Sequence, residues 1–94
     1  MTRIVVRELV WDEINLEHIK KHNVSKDEVE KAKSFILHWR THTKRYLIVS
    51  RVGLRLVSVV LSREGVGKYY PVTARDSGKN ERRRVYEKEK KQNP

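Results

Sequence analysis

The side chains best suited to acid–base chemistry lie close together in the stretch HIKKHNVSKDE, residues 18–28. His18 and His22 are four residues apart, so in a helix they share one face with their Cβ atoms about 6 Å apart. Lys21 precedes His22 and places a positive charge beside it. Two interpretations of His22 stay open. It is a general acid or base, or it is a residue that hydrogen-bonds the free carbonyls at a helix C-terminus.

A metal site is not predicted from these histidines. The chain has no cysteine, the HExxH arrangement of zinc proteases is absent, and no carboxylate stands at an obvious third-ligand spacing. We therefore expect neither a metal nor another cofactor. A metal-binding domain built on His18 and His22 is kept as the third hypothesis for this chain.

Positive charge is distributed unevenly along the sequence. The chain has 22 Lys and Arg against 12 Asp and Glu, a net charge of +10. Residues 35–74 contain seven basic side chains and a single acidic one, Glu64, whereas residues 1–34 contain seven of each. Such a cationic stretch over apolar strands favours a polyanionic partner, most simply nucleic acid. An acidic protein partner, or a surface that only confers solubility, would account for the same charge.

Basic and aromatic side chains near predicted turns are the candidates for binding RNA. Guanidinium groups can clamp phosphates, and aromatic rings can stack on bases. Arg51 and Arg55 flank the predicted turn at Val52-Gly53, and Arg75 ends the last predicted strand. The full set of RNA-binding candidates is Arg51, Arg55, Lys44, Arg45, Trp11 and Tyr70.

Cleavage of RNA is a reaction that these residue types can support. The sequence has no glycine-rich phosphate loop, no nucleophile elbow and no cluster of metal-binding carboxylates. The 2′-hydroxyl of RNA is itself the nucleophile, so the protein need supply only proton transfer and cationic stabilisation of the phosphorane. Histidine, arginine and lysine are sufficient for both tasks.

The elements that must position these residues form an α+β domain with the order β-α-α-β-β-β-β-α and an antiparallel sheet. A first strand over residues 3–11 leads to an αα-hairpin with Asp12 as the N-cap of its first helix. Asn23 is expected in the left-handed conformation that ends that helix, and Ser25 with Glu28 forms a capping box that starts the next.

After the αα-hairpin, the sequence predicts four strands and then one helix. Strands are predicted over residues 34–40, 45–51, 54–62 and 68–75, and a charged helix over residues 77–91. Pro71 indicates an edge position or a bulge, because proline cannot donate to the ladder. Alternation separates Leu47, Val49 and Arg51 from Tyr46, Ile48 and Ser50. Residues 1–94 are expected to be one domain, with a flexible tail from about residue 89 to residue 94.

Two segments together resemble the BrnT-type toxins. The stretch VWDEINLEHIKKHNVSKDEVE, residues 10–30, is similar to the family's N-terminal pattern, in which W-D-x-x-N precedes K/R-H-G-V-[ST]. Residues 46–87 are similar to the family's strand hairpin and to its closing A-R and E-R pairs, which a tyrosine follows. Asn23 stands where the family usually has glycine, and both residues tolerate the left-handed conformation. The matching positions are Trp11, Asp12, Lys21, His22, Ala74, Arg75, Glu81, Arg82 and Tyr86.

This resemblance implies a RelE-like fold and a type II toxin–antitoxin system. The implied activity is that of a metal-independent endoribonuclease that inhibits translation by cleaving RNA. The implied partner is a ribbon-helix-helix antitoxin, and operator DNA is bound only through the antitoxin complex. On this basis the catalytic candidates are His22 for proton transfer, with Lys21 and Arg75 neutralising phosphate.

The alternative from another class is a non-catalytic basic module that binds nucleic acid or an acidic protein. No apolar run approaches membrane-spanning length, and the charged side chains among the first residues exclude a secretory core. We therefore expect a cytoplasmic protein that has no membrane partner.

Overall fold

The structure, a computed structural model, describes residues 4–92. Its elements are β1 (Glu8–Leu9), α1 (Glu13–Lys20), α2 (Lys26–Lys31), β2 (Leu37–His42), β3 (Arg45–Val52), β4 (Arg55–Gly65), β5 (Lys68–Asp76) and α3 (Lys79–Gln92). The predicted order β-α-α-β-β-β-β-α and the α+β class are confirmed. None of the helices within residues 4–92 combines the length and the apolar character needed to cross a membrane.

The five strands form one sheet in the order β1-β5-β4-β3-β2. Strands β2 to β5 are antiparallel neighbours, as expected. β1 differs, because it lies parallel to β5 through the pairs Glu8–Lys68 and Leu9–Tyr69. The sheet is therefore mixed. The expected strand over residues 3–11 is reduced to two residues, and residue 3 lies outside the described part of the chain.

Both faces of the sheet are covered by helices. On one face, which we call the α1–α2 face, Ile48 and Val59 pack with Ile19 and Val29 of the two short helices. On the other, which we call the α3 face, the sheet residues pack around Val85 of α3. These sheet residues are Leu47, Val49 and Leu56. The predicted alternation along β3 is confirmed. Because both faces are buried, residues 46–50 are buried without interruption, as in strands that lie between two layers.

Local capping explains why the two short helices begin and end where they do. The Asp12 carboxylate accepts the Asn15 N–H at 2.9 Å, and the Asn15 side chain accepts the Asp12 N–H at 2.9 Å. The predicted capping box is present, since Ser25 Oγ accepts the Glu28 N–H at 3.1 Å and the Glu28 carboxylate accepts the Ser25 N–H at 3.0 Å. Asn23 has φ +58°, as predicted.

The turns and the bulge differ in detail from the sequence pattern. β2 runs to His42, so it includes part of the segment expected as a loop. Lys44 follows in the turn with φ +65°, and Gly53 has φ +62° in the next turn, which is one residue later than predicted. Pro71 lies beside a register shift, because Leu61 pairs with Pro71 while Val60 pairs with Thr73. The shift supplies the bulge that proline indicated.

Helix α3 is held on the sheet by one buried residue and by polar contacts. Val85 is fully buried, and Lys88 Nζ donates to the Ile36 carbonyl at 2.6 Å. The helix runs through Gln92, one residue beyond its predicted end at residue 91, and the flexibility of a tail from about residue 89 stays a prediction. Residues 93 and 94 of that tail lie outside the described residues.

Replacing Asn23 by alanine should lower the free energy of unfolding by about 1 kcal/mol, because a Cβ without a compensating side-chain hydrogen bond is strained in the left-handed region. Asn23→Gly should leave the free energy of unfolding unchanged or raise it slightly. Urea denaturation measures both variants, and His22→Ala is the neighbouring control. Equal losses for the alanine and glycine variants would contradict the explanation.

Candidate nucleic-acid interface

Arg75 and Glu81 form a two-pronged ion pair on the α3 face of the sheet. Arg75 Nη1 and Nη2 each donate to one Glu81 carboxylate oxygen at 2.8 Å. Arg75 comes from β5 and pairs with Ser58 of β4, and Glu81 lies in the first turn of α3. The pair therefore ties the last strand to the last helix.

Other donors hold the Glu81 carboxylate in place. Ser58 Oγ donates to it at 2.7 Å, and the Gly78 N–H donates at 2.9 Å. The hydroxyl of Ser77 lies 2.8 Å from that of Ser58, and both serines are buried. The hydrogen bonds from Arg75, helped by those from Ser58 and Gly78, lower the pKa of Glu81 from 4.5 to about 2 against the opposing effect of burial. Glu81 is thus a charged anchor at neutral pH.

The Arg75 guanidinium keeps N–H donors that its contacts with Glu81 and Asp76 do not use. The group has five N–H donors, and three of them are used, by the two Glu81 oxygens and by the Asp76 carbonyl at 3.1 Å. The Nε hydrogen and one Nη2 hydrogen make no hydrogen bond within residues 4–92. These two form a second fork whose geometry suits two oxygens of a phosphate. The side chain is 42% exposed, so a ligand can reach it.

His22 and Lys21 are exposed at the C-terminal turn of α1, which packs on the α1–α2 face. The His22 ring lies 5.7 Å from the His18 ring and makes no side-chain hydrogen bond to the described chain. Arg75 lies on the α3 face. The Arg75 side chain therefore lies on the face of the sheet opposite to the helix that precedes Lys21 and His22.

The predicted phosphate-binding arginines at the β3–β4 hairpin are already engaged with carboxylates. Arg55 donates to Asp76 at 2.6 Å and to Glu28 at 2.8 Å, and Arg51 donates to Glu89 at 2.8 Å. These bonds join the hairpin to β5, α2 and α3. Both guanidinium groups keep unused N–H donors, and both line a depression around the hairpin tip.

The predicted stacking residues are also fixed by carboxylates. Trp11 Nε1 donates to Glu30 at 2.8 Å, and the Tyr70 hydroxyl donates to Asp12 at 2.9 Å. Both rings are half-buried. Asp12 consequently serves as a helix N-cap and as the acceptor for Tyr70.

Lys44 and Arg45 lie at the exposed tip of the β2–β3 hairpin. Neither side chain contacts a carboxylate within the described residues. Lys44 adopts the left-handed conformation, which costs a residue with a Cβ roughly 1–2 kcal/mol. Lys44 therefore presents its cation at a turn position where glycine would be less strained.

None of the catalytic or RNA-binding residues predicted from the sequence lies on the outward side of α3. A depression of about 580 Å³ runs along it, lined by Ser77, Lys79, Arg82, Arg83, Tyr86, Glu87 and Lys90. The spacing of Lys79, Arg83, Tyr86 and Lys90 places them on one helix face, and that spacing could have been read from the sequence. On the opposite flank of α3, the Arg84 guanidinium lies 4.8 Å from the centre of the Trp39 ring.

No group of three or more His, Cys, Asp or Glu residues within residues 4–92 is arranged to hold a metal ion.

Comparison with solved structures identifies a similar fold. The 1.1 Å crystal structure of the Brucella abortus ribonuclease toxin BrnT superposes with a TM-score of 0.62 and 20% sequence identity, over 77% of this chain and 97% of that one. No protein-family model and no curated protein matches this chain. The likeness shows that the protein has a BrnT-like fold, so the fold implied by the sequence resemblance is confirmed.

The Glu81 anchor predicts a stability difference that depends on pH. Since one pKa unit corresponds to about 1.4 kcal/mol, Glu81→Gln should lower the free energy of unfolding at neutral pH by up to about 3 kcal/mol. A lowered pKa stabilises the fold above the unfolded value of 4.5, and this contribution is lost as the pH falls through about 2.

Urea unfolding of the wild type and Glu81→Gln, at neutral pH and near pH 2, measures the difference in the free energy of unfolding. The gap between them should close near pH 2, and Glu87→Gln, on the exposed side of the same helix, should show no comparable gap. Equal stability of Glu81→Gln and wild type at neutral pH would remove the anchor role.

Proposed function

We propose that this protein is an endoribonuclease toxin of a type II toxin–antitoxin system. The observation that carries the proposal is the available fork of Arg75 on a BrnT-like fold. The similar structure is that of a ribonuclease toxin, and this chain has a net charge of +10. Such charge attracts a phosphate backbone, and Glu81 orients one arginine to receive a phosphate.

In the proposed reaction, the RNA 2′-oxygen bonds to the adjacent phosphorus as the bond from phosphorus to the 5′-oxygen breaks, which yields a 2′,3′-cyclic phosphate. The 2′-hydroxyl proton passes to solvent water, and water protonates the leaving 5′-oxygen. Negative charge grows on the non-bridging oxygens of the phosphorane. The Arg75 Nε and Nη2 donors stabilise that charge, and the bond to Glu81 holds the guanidinium in place before the reaction begins. The proposed chemistry needs no metal ion.

Three further groups are proposed to bind the rest of the RNA. Lys44 and Arg45 contact backbone phosphates at one end of the sheet, and Arg51 and Arg55 contact them at the other with the donors that their carboxylates leave unused. Trp11 and Tyr70 offer ring faces for bases, with their polar ends already fixed.

His22 and Lys21 are the competing assignment for the catalytic site. Because α1 and the Arg75 side chain lie on opposite faces of the sheet, we place cleavage on the α3 face. His22 as the proton-transfer group would instead require cleavage on the α1–α2 face, with Lys21 neutralising the phosphate.

The proposed biological partners follow from the toxin assignment. A ribbon-helix-helix antitoxin neutralises the toxin, and the complex of the two binds operator DNA. The proposed target is cytoplasmic RNA, whose cleavage inhibits translation.

A non-catalytic basic module is the second candidate function. The observation that favours it is the engagement of Arg51, Arg55 and Arg75 in intramolecular ion pairs, which gives each of them a structural role. Such a module would bind RNA with a steep dependence on salt and would leave the RNA intact.

Replacing Arg75 by alanine should reduce metal-free RNA cleavage by about a hundredfold, because it removes a donor pair to the phosphorane. Arg75→Lys should be nearly as inactive, since lysine keeps the charge without the fork. Cleavage is measured in excess chelator, with circular dichroism and thermal unfolding to confirm that each variant is folded.

His22→Ala, Lys21→Ala and Lys31→Ala are the comparison variants for this experiment. Full activity is expected for all three. Loss in His22→Ala with full activity in Arg75→Lys would move the site to the α1–α2 face. Full activity in both His22→Ala and Arg75→Ala would remove both assignments, and intact RNA at high wild-type concentration would favour the non-catalytic module.

Lys44→Gly should weaken RNA binding and reduce the slope of log affinity against log salt by about 1, as loss of one phosphate contact does. The free energy of unfolding should stay the same or rise, because glycine suits φ +65°. Filter binding over a salt series measures the slope, with Lys31→Ala, whose partner is Asp27, as the control. An unchanged slope would show that Lys44 contacts no phosphate.

A further inference from the structure

The outward side of α3 and the tip of the β3–β4 hairpin carry two adjoining depressions. The depression of about 580 Å³ along α3 shares Arg82 and Tyr86 with a second depression of about 350 Å³ beside the hairpin. We call this combined surface the α3 groove. Arg51, Leu54, Arg55 and Leu56 line its hairpin end.

Two large apolar side chains are exposed in the α3 groove. Leu54 is 103% exposed at the hairpin tip, and Tyr86 is 55% exposed on α3. No contact within the described chain requires a leucine at this turn, where small or polar residues are usual. The two residues supply an apolar centre in a surface that is otherwise strongly charged.

Cations surround that centre and follow the helix. Lys79, Arg83 and Lys90 have no carboxylate partner among residues 4–92, and Glu87 is the only acidic residue that lines the groove. From Lys79 to Lys90 the helix rises about 16 Å, at 1.5 Å per residue. A segment of about three helical turns would match this length.

We propose that the α3 groove is the docking site for an acidic, amphipathic helical segment of a partner protein. Its apolar side chains would pack on Leu54 and Tyr86, and its carboxylates would pair with Lys79, Arg83 and Lys90. An apolar centre with a charged rim is the anatomy of a protein interface. A nucleic acid would use the cations but would gain little from an exposed leucine.

The choice of a protein occupant rests on the proposed function, in which a partner protein neutralises the toxin. Ser77, at one end of the groove, hydrogen-bonds Ser58, which donates to the Glu81 carboxylate that holds Arg75. A segment bound there would therefore lie beside the proposed phosphate site, where it could hinder access of RNA to Arg75.

Binding of synthetic helical peptides tests the proposal without any measurement of RNA cleavage. The probe is a three-turn peptide with leucines at i, i+4 and i+7 and glutamates on its other face. The wild type should bind it, and Leu54→Ser should weaken binding by about tenfold, the loss expected for truncating an interface anchor. Ile14→Ser, which replaces a residue 75% exposed on α1, is the matched control and should bind like wild type.

Charge is tested in the same assay. Arg83→Glu should bind the leucine peptide more weakly than the wild type does, and its binding should depend less on salt. Lys20→Glu on α1 should bind like the wild type. The same peptide with serine in place of leucine should bind at least tenfold more weakly to the wild type.

The proposal is overturned if the wild type fails to bind the leucine peptide in low salt, or if Leu54→Ser and Ile14→Ser bind it equally well. It is also overturned if Leu54→Ser weakens the binding of a single-stranded RNA oligonucleotide by the same factor, since the groove would then be a nucleic-acid site. Peptide binding by a protein that does not cleave RNA would support the groove and reject only the ribonuclease assignment.

Discussion

The placement of α3 depends on the Glu81 carboxylate. It accepts hydrogen bonds from Arg75 of β5, from Ser58 of β4 and from the Gly78 N–H before the helix. α3 buries only one apolar side chain fully, Val85, so apolar packing alone gives it little orientation. One charged group therefore fixes where the helix starts and which edge of the Arg75 guanidinium faces away from the protein.

Ion pairs between an arginine of one strand and a carboxylate of another element also occur elsewhere in this basic protein. Arg55 bridges Glu28 and Asp76, and Arg51 reaches Glu89. The chain has 12 Asp and Glu against 22 Lys and Arg. The carboxylates that pair with these arginines lie where strands and helices meet. Each such contact removes one positive charge from the field that an RNA would meet. Cations without a carboxylate partner among the described residues are present at the Lys44 hairpin and along the outward side of α3, and both regions attract a polyanion or an acidic protein.

A sheet covered on both faces limits where a reaction site can be. The α1–α2 face is filled by Ile19 and Val29, and α3 covers only part of the other face. Lys21 and His22 are consecutive in the sequence, but their spacing carried no information about which side of the sheet would receive Arg75. A site that combines His22 with Arg75 suits the chemistry, but α1 and the Arg75 side chain lie on opposite faces of the sheet.

The sequence alone determined the features that depend on neighbouring residues. It determined the left-handed turn at Asn23 after α1, the start of α2 at Ser25, the order of the elements and the excess of positive charge, because caps, turns and periodicity act over a few residues. Only the tertiary structure decided that Arg75 pairs with Glu81 and lies on the face of the sheet opposite to α1. These contacts depend on strand register and on the side of the sheet that each helix covers, and both are set by packing between segments far apart in the chain.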